Sequence, residues 1–199
     1  MANAVESELI ARFKAGDIAA FNLLTRRWYE KIMGFLYRVL GNIEDAEDAC
    51  QKTFMAVYTR IHQLSDNDRF TTWLYQIANN NAMDQIRDRK RLLRRDGSPD
   101  DEEYSQSDDP PDPETVKMET SVDTESLSRI FEEAMQTIPD EQRTVIVMKL
   151  YEGLKFTEIA QILDITANTV KSRMYSGLRA MKGVLDKNKF IKEMLRNAM

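Results

Sequence analysis

Apolar residues recur every three or four positions along most of the chain, which is the spacing of one face of an α-helix. The clearest example lies between Asp17 and Gly41, and its apolar stripe consists of Phe21, Leu24, Trp28, Ile32, Phe35 and Val39. Asp17 suits a helix N-cap and Gly41 suits a helix stop. The pattern predicts a helix between these residues, preceded by another over residues 5–15.

Two more helices are predicted in the first half of the chain. Asn42 begins the third, which runs to about Leu64 and carries acidic residues near its positively charged N-terminal end. The stretch SDNDR, residues 65–69, is predicted to be a loop. The fourth helix covers about Thr72 to Arg95.

The fourth helix changes character along its length. It begins with apolar residues that include Trp73, passes through three consecutive asparagines at 79–81, and ends in six basic residues: Arg87, Arg89, Lys90, Arg91, Arg94 and Arg95. Aromatic side chains beside a basic groove suit unpaired bases on a neutralised backbone. A basic tail can also be merely solvated. We interpret Trp73 as mostly core and the basic series as phosphate-binding.

The middle of the chain has a different composition. Residues 96–125 contain twelve acidic side chains and one base, Lys117, so they carry a charge of −11, whereas the chain as a whole carries −5. The rest is therefore basic, at +6. Because this stretch is rich in proline and poor in apolar residues, we expect a linker that is disordered or extended.

Helical spacing returns near Thr124. Pro139 is allowed in the first turn of the next helix, and shorter helices are predicted near 156–163 and 167–182, with Thr166 as N-cap. Ala160 would permit a close helix crossing, and the end, KFIKEMLRNAM, is amphipathic. Two short helices joined by a tight turn are typical of a helix-turn-helix motif.

The second short helix has one apolar and one polar face. The apolar positions are Val170, Met174, Leu178 and Met181, and the polar ones are Asn168, Lys171, Ser172 and Tyr175. In a helix-turn-helix such a polar face meets base edges and phosphates in the major groove, and the basic Arg173 can add a contact. A solvated helical hairpin is the alternative.

Rare residue types exclude several kinds of site. The single histidine, His62, excludes a multi-histidine metal site and disfavours catalysis by a Ser/His or Cys/His pair. The single cysteine, Cys50, forms no internal disulfide and is consistent with a reducing compartment. No apolar run of about 18 residues or signal-peptide core is present, so we expect neither a membrane span nor export.

Four segments in order resemble the extracytoplasmic-function (ECF, group 4) sigma factors of bacterial RNA polymerase, in the sigma-70 family. The opening helices resemble AGDIAAFNLLTRRWYEKI, and the polymerase-binding helix resembles DAEDACQKTFMAVY. The segment that melts the promoter and reads its −10 element resembles RFTTWLYQIANNNAMDQIRDRKR. The −35-reading domain resembles TIPDEQRTVIVMKLYEGLKFTEIAQILDITANTVKSRMYSGLRAMK.

The resemblance implies an all-α protein of two small helical domains. They are a four-helix, sigma region 2-like domain over residues 1–95 and a region 4-like helix-turn-helix domain over 122–199, joined by an acidic flexible linker over 96–121. It implies a cytoplasmic factor, not an enzyme, that needs no cofactor or metal and directs promoter-specific initiation in a stress or envelope response. Its partners would be core RNA polymerase, promoter DNA and an anti-sigma factor.

The resemblance also assigns roles to individual residues. Core-polymerase binding falls on Asp48, Gln51, Lys52 and Phe54. Recognition of the −10 element falls on Phe70, Trp73, Asn79, Asn80, Arg87 and Arg91. Recognition of the −35 element falls on Asn168, Lys171, Ser172, Arg173 and Tyr175. The chain departs from the family at Lys52, where glutamate is common, and at Ser176, where a basic residue is common. These departures put polymerase docking and one phosphate contact in question.

Two other functions fit parts of the pattern. A helix-turn-helix repressor or activator with an N-terminal dimerisation domain would explain residues 124–182 but not the aromatic and basic fourth helix. A helical-bundle hydrolase would need a clustered acid/base or metal site. The acidic stretch from Glu44 to Asp48 is its only candidate.

Overall fold

The computed structural model describes residues 2–95 and 124–186. Within these two ranges the chain forms eight α-helices and no β-strand, so the predicted all-α class is confirmed. In chain order, α1 to α8 are Ala2–Lys14, Ile18–Leu40, Ile43–Arg60, Phe70–Arg95, Thr124–Gln136, Asp140–Leu150, Phe156–Leu163 and Ala167–Leu185. The predicted linker and the C-terminal amphipathic piece lie outside the described residues.

The ends of α2 have the caps that its sequence predicts. The Asp17 carboxylate accepts hydrogen bonds from the backbone N–H groups of Ala19 and Ala20, at 3.0 and 3.3 Å. A hydrogen bond from Arg12, followed by those backbone donors, holds the pKa of Asp17 below its ordinary value. Gly41 has a φ of 81°, in the left-handed region that favours glycine, and its N–H closes the last turn on the Tyr37 carbonyl.

Several boundaries differ from the sequence prediction. Helix α1 spans Ala2–Lys14 rather than 5–15, and α4 begins at Phe70 rather than about Thr72. After α3 ends at Arg60, a 3-10 turn over Ile61–Gln63 carries the chain onward. The expected SDNDR loop contains a second 3-10 turn, Asn67–Arg69, because the Asp66 carboxylate accepts a hydrogen bond from the Asp68 N–H at 3.0 Å. The last helix continues three residues further than expected because its apolar face continues through Leu185.

Helix α2 lies at the centre of the first four helices, and α1, α3 and α4 all pack against it. Its predicted stripe is buried except for Phe21, which is only partly covered. Trp28 donates a hydrogen bond from its indole N–H to the buried Glu6 carboxylate at 2.7 Å. The rings of Trp28 and Phe35 meet Tyr75 of α4 edge-on, at 6.1 and 5.4 Å. The apolar face of α2 therefore organises this bundle.

The second half is built around α6, which contacts both α7 and α8. The two helices α6 and α8 approach closely at Gly177 of α8, where an added Cβ would come within 2.7 Å of Ile146 Cδ1 and 3.1 Å of Gln142 Cβ. The sequence predicts Ala160 of α7 as the small residue at a close helix crossing, and the structure shows another at Gly177, between α6 and α8. Glycine here fixes the depth at which α8 sits on α6.

Arg143 of α6 is completely buried, which sequence pattern alone does not predict. One guanidinium nitrogen lies 3.4 and 3.3 Å from the carbonyl oxygens of Met135 and Gln136, at the end of α5. The other pairs with the Asp140 carboxylate at the start of α6. A buried charge is tolerated only when it is paired and hydrogen-bonded, so Arg143 ties the α5–α6 corner together.

We predict that Arg143→Met lowers the free energy of unfolding of the second half by roughly 3 kcal/mol, because it strands buried carbonyl groups and Asp140. Urea unfolding followed by helical circular dichroism measures this. The matched control is Arg179→Met on the exposed side of α8, which should change stability by less than about 0.5 kcal/mol. Equal unfolding midpoints for the two variants would contradict the role of Arg143.

Candidate polymerase and nucleic-acid interfaces

An exposed apolar groove runs between α2 and α3. We call it the α2/α3 groove, and its lining residues are Phe21, Thr25, Tyr29, Glu47, Gln51, Phe54, Met55 and Tyr58. Met55 is 60% exposed, Tyr29 46% and Tyr58 44%, although all three are large and apolar or aromatic. Contiguous exposed apolar surface with a polar rim is typical of a protein interaction site, and a groove between helices suits a helical partner.

Aromatic packing gives this groove a defined shape. The ring of Phe21 lies 4.9 Å from Phe13 and 5.1 Å from Tyr58, and Tyr29 stacks on Phe54 at 6.3 Å. Because Phe13 is buried in the core, the groove floor is anchored to the bundle. A preformed apolar floor reduces the ordering cost of binding.

Of the four residues predicted to bind polymerase, two line the groove and two lie beside it. Gln51 is exposed at its rim and Phe54 forms part of its floor. Asp48 accepts a hydrogen bond from the Gln85 amide of α4 and pairs with Lys52 at 2.6 Å. The positive charge at Lys52, which departs from the family pattern, therefore faces a carboxylate of its own helix.

The predicted −10 residues separate into buried and exposed groups. Phe70 is 1% exposed and packs on Trp28 and Trp73, with each ring 6.2 Å away. Trp73 is half-buried, as its core interpretation predicts. Asn79 is 7% exposed, and within the described chain its buried Oδ1 accepts no hydrogen bond, whereas Asn80 is exposed. In this arrangement neither Phe70 nor Asn79 is accessible to DNA.

Arg87 and Arg91 are exposed on α4 and form ion pairs within their own helix. Arg87 meets Asp84 at 2.6 Å, and Arg91 meets Asp88 at 3.0 Å. Exposed pairs of this kind contribute little to stability, so a phosphate can displace the carboxylates at low cost. Both arginines remain available to a nucleic-acid backbone.

Sequence reasoning missed Gln85, and it did not place Lys52 or Asn81 beside these arginines. Lys52 of α3, together with Asn81 and Gln85 of α4, lines the same open polar groove as Arg87 and Arg91. Asn81 donates to the Thr53 hydroxyl at 3.0 Å, which connects the two helices. Lys52, itself a predicted polymerase residue, thus also lines a groove with two predicted DNA residues. The available sequence signal was the spacing of Asn81, Gln85 and Asp88, which are four and three positions apart and therefore share one face of α4.

Helices α7 and α8 form the predicted helix-turn-helix. Asp164 turns the chain between them in the left-handed conformation, with φ 52°, which aspartate tolerates better than most residues. The Thr166 hydroxyl accepts a hydrogen bond from the Thr169 N–H at 3.1 Å, so the predicted N-cap is confirmed. The Glu158 carboxylate similarly accepts the Lys155 N–H, at 2.6 Å, at the start of α7.

Four of the five predicted −35 residues are exposed on α8: Asn168, Lys171, Ser172 and Tyr175. Arg173 is only 27% exposed at its side chain and pairs with Glu141 of α6. The Lys171 ammonium lies 5.9 Å from the Phe156 ring, within cation–π range. The exposed face of α8 can therefore contact DNA directly, whereas the Arg173 guanidinium is engaged by the Glu141 carboxylate.

The remaining chemistry of the described residues gives no sign of catalysis. Burial raises the pKa of Cys50 to about 11, so its thiol stays neutral and a poor nucleophile. No group of three His, Cys, Asp or Glu side chains in residues 2–95 and 124–186 could hold a metal ion. None of the helices in those ranges is long and apolar enough to cross a membrane.

Comparison with known proteins agrees with this geometry. Residues 24–92 match Sigma-70 region 2, and residues 128–181 match Sigma-70, region 4. The chain is 36% identical over 177 residues to the ECF RNA polymerase sigma factor SigW of Bacillus subtilis, covering 87% of this chain and 92% of the relative. It is 31% identical over 172 residues to the ECF RNA polymerase sigma-E factor of Haemophilus influenzae, covering 85% and 89%.

Two solved structures share the fold. CnrH, in complex with the cytosolic domain of CnrY, matches with a TM-score of 0.66 at 21% identity, covering 93% of this chain and 99% of that one. RpoE from Bartonella quintana, in complex with the anti-sigma factor NepR, matches with a TM-score of 0.64 at 19% identity, covering 85% and 98%. With sequence relatives at this identity over nearly its whole length, the chain belongs to the ECF sigma factors of the sigma-70 family.

Proposed function

We propose that this sigma factor docks on core RNA polymerase through the α2/α3 groove and recognises −10 and −35 promoter elements with α4 and α8. Sigma factors are transcription initiation factors of RNA polymerase and are not enzymes. The observation that carries the finer proposal is the α2/α3 groove, an exposed apolar surface on a bundle whose α4 surface is polar and partly basic. A protein partner and a nucleic-acid partner could bind these two faces at once.

The two DNA-reading helices would act differently. The exposed face of α8 suits duplex DNA, because its polar side chains cluster near the N-terminal end of the second helix of a helix-turn-helix. The face of α4 suits a separated strand, with Asn80 exposed and Arg87 and Arg91 available to phosphates. Capture of an unpaired base at Asn79 would need that residue to become accessible.

We further propose that the protein acts in the cytoplasm, where it would meet the polymerase, in a stress or envelope response, and that an anti-sigma factor restrains it. CnrH and RpoE were each solved with a protein partner. The domain limits that we propose are 1–95 and 122–199, joined by the acidic stretch 96–121. Transcription in vitro with purified core polymerase tests the function: promoter-specific initiation supports it, and core-independent binding to a palindromic site as a dimer would favour a repressor.

The first prediction concerns docking. Gln51→Ala combined with Met55→Ala should weaken binding to core polymerase roughly 5- to 30-fold, because it truncates two exposed groove side chains that a partner would bury. Fluorescence titration of labelled protein with core enzyme measures the affinity. Leu23→Ala is the control, since Leu23 is also an exposed apolar residue of the bundle, at 47%, but lies outside the groove.

Helical circular dichroism should be unchanged in all of these variants. If the double variant and Leu23→Ala bind core polymerase equally well, the α2/α3 groove is not the docking surface.

The next prediction concerns α8. Lys171→Ala in the holoenzyme should act in one of two ways, depending on whether Lys171 touches phosphate or base. Loss of a phosphate contact weakens all promoter sequences alike and lowers the salt slope by about one, whereas loss of a base contact costs about 1–3 kcal/mol and relaxes one position of the −35 element. Promoter binding at several salt concentrations and with single-base substitutions distinguishes the two.

Arg179→Ala, an exposed charge further along α8, serves as the control for net charge. Identical behaviour of Lys171→Ala and Arg179→Ala would mean that the exposed N-terminal face of α8 is only solvated.

A further inference from the structure

The polar groove between α3 and α4, which we call the α3/α4 groove, combines side chains that the family pattern assigns to different partners. Its lining residues are Lys52, Asn81, Asp84, Gln85, Arg87, Asp88 and Arg91. Lys52 belongs to the predicted polymerase residues, whereas Arg87 and Arg91 belong to the predicted DNA residues. The groove is open and has a volume of about 570 Å³, which is within the roughly 300–1,000 Å³ of sites that hold small ligands.

The residue at position 52 determines the sign of the charge in this groove. The lining contains three basic side chains, Lys52, Arg87 and Arg91, and two acidic ones, Asp84 and Asp88, so its formal charge is +1. With glutamate at position 52, which is common in the family, two bases would meet three acids and the charge would be −1. An anion is attracted by the first arrangement and repelled by the second. The departure at Lys52 therefore enables the groove to take an anion.

Lys52 lies on the side of α3 that faces α4. Three polar contacts between the two helices define that side: Asn81 with Thr53 at 3.0 Å, Gln85 with Asp48, and Arg89 with Asp45 at 3.7 Å. Lys52 pairs with Asp48 there at 2.6 Å. The lining of the α2/α3 groove includes Gln51 but not Lys52. The position of Lys52 therefore favours a ligand of α4 over the partner that the α2/α3 groove would bind.

The Lys52 ammonium can leave its present partner at low cost. Its side chain is 56% exposed and that of Asp48 is 47% exposed, and exposed ion pairs contribute little to stability. When Lys52 turns to another anion, the Asp48 carboxylate still accepts the hydrogen bond from Gln85. Lys52 is thus as available as Arg87 and Arg91, whose partners are also exposed carboxylates of their own helix.

The chemistry of the groove suits phosphate. Its lysine supplies a point charge and its arginines supply planar forks, and both bind phosphate oxygens. The amides of Asn81 and Gln85 each have a second N–H besides the one that donates to Thr53 or Asp48. None of the described residues that line this groove is aromatic, so it offers no platform on which a base could stack. A nucleic-acid backbone therefore fits the groove better than a base does.

We propose that Lys52 is a nucleic-acid-binding residue of this chain, and that with Arg87 and Arg91 it binds phosphates of the separated promoter strand in the α3/α4 groove. The proposal rests on the proposed DNA-reading role of α4. In it, a position that the family pattern assigns to docking has become a phosphate contact. Polymerase binding is left to the α2/α3 groove, whose lining does not include Lys52.

The test measures strand binding and polymerase binding separately. Lys52→Gln removes the charge, Lys52→Arg keeps it, and Lys52→Glu introduces the residue that is common in the family. The matched control is Arg60→Gln, which makes the same change of charge at an exposed residue of α3 outside the groove. Fluorescence anisotropy of a labelled single strand of about 20 nucleotides and mixed sequence gives the strand affinity at several salt concentrations. Titration with core polymerase gives the docking affinity.

Lys52→Gln should weaken strand binding roughly threefold to tenfold at about 0.1 M salt. It should also reduce the slope of log affinity against log salt by about 0.7, the value for one phosphate on a single strand. Lys52→Glu should weaken binding further, because it reverses the charge of the groove. Lys52→Arg and Arg60→Gln should bind nearly as tightly as the native protein. Because Lys52 is exposed, helical circular dichroism should be the same for all variants.

An unchanged salt slope for Lys52→Gln would overturn the inference. A loss of core affinity without any loss of strand binding would also overturn it, and would return Lys52 to the polymerase-binding residues. Arg87→Gln separates this inference from the proposed function. If Arg87→Gln lowers the slope and Lys52→Gln does not, only the role of Lys52 fails. If neither variant lowers the slope, the DNA-reading role of α4 fails with it.

Discussion

Burial of the apolar face of α2 is the constraint on which the rest of the structure depends. Leu24, Ile32 and Phe35 are almost completely buried, and the helix contacts α1, α3 and α4 as well as α5 and α6 of the second half. Phe21, Thr25 and Tyr29 lie along the edge of that face and form one wall of the α2/α3 groove. The groove, the orientation of α4 and the contact between the halves all follow from how α2 is packed.

Much of the fold could be predicted because its signals are local. The caps at Asp17, Gly41 and Thr166 and the period of the apolar stripes locate α2, α7 and α8 within a few residues. The same helical period of apolar residues also predicted which side of α8 is exposed, and Asn168, Lys171, Ser172 and Tyr175 lie there. Phe70 was assigned to DNA by resemblance, yet it shares an i, i+4 series of buried residues with Leu74 and Ala78. Its apolar spacing already indicated a core position.

Other features could not be predicted because they join distant parts of the chain. From the sequence, Arg143 is predicted to be an exposed basic residue of a helix. Only the tertiary arrangement of α5 and α6 brings it to the carbonyl groups that accept its hydrogen bonds when it is buried. The hydrogen bond from the Tyr75 hydroxyl of α4 to the Glu152 carboxylate likewise has no local signal. The ion pair between Asp48 and Lys52 is an i, i+4 contact within one helix, which sequence spacing allows. The hydrogen bond from Gln85 to Asp48 joins two helices, and sequence spacing does not determine it.

The glycine at position 177 has a consequence for how this factor can diversify. Since α8 rests on Ile146 and Gln142 with no room for a Cβ, the axis and height of the helix are set by the scaffold rather than by the side chains that face outward. Asn168, Lys171, Ser172 and Tyr175 take no part in that support. Under the proposed −35 role of α8, new promoter preferences can therefore arise by exchange of these outward side chains alone, with the helix presented at an unchanged angle.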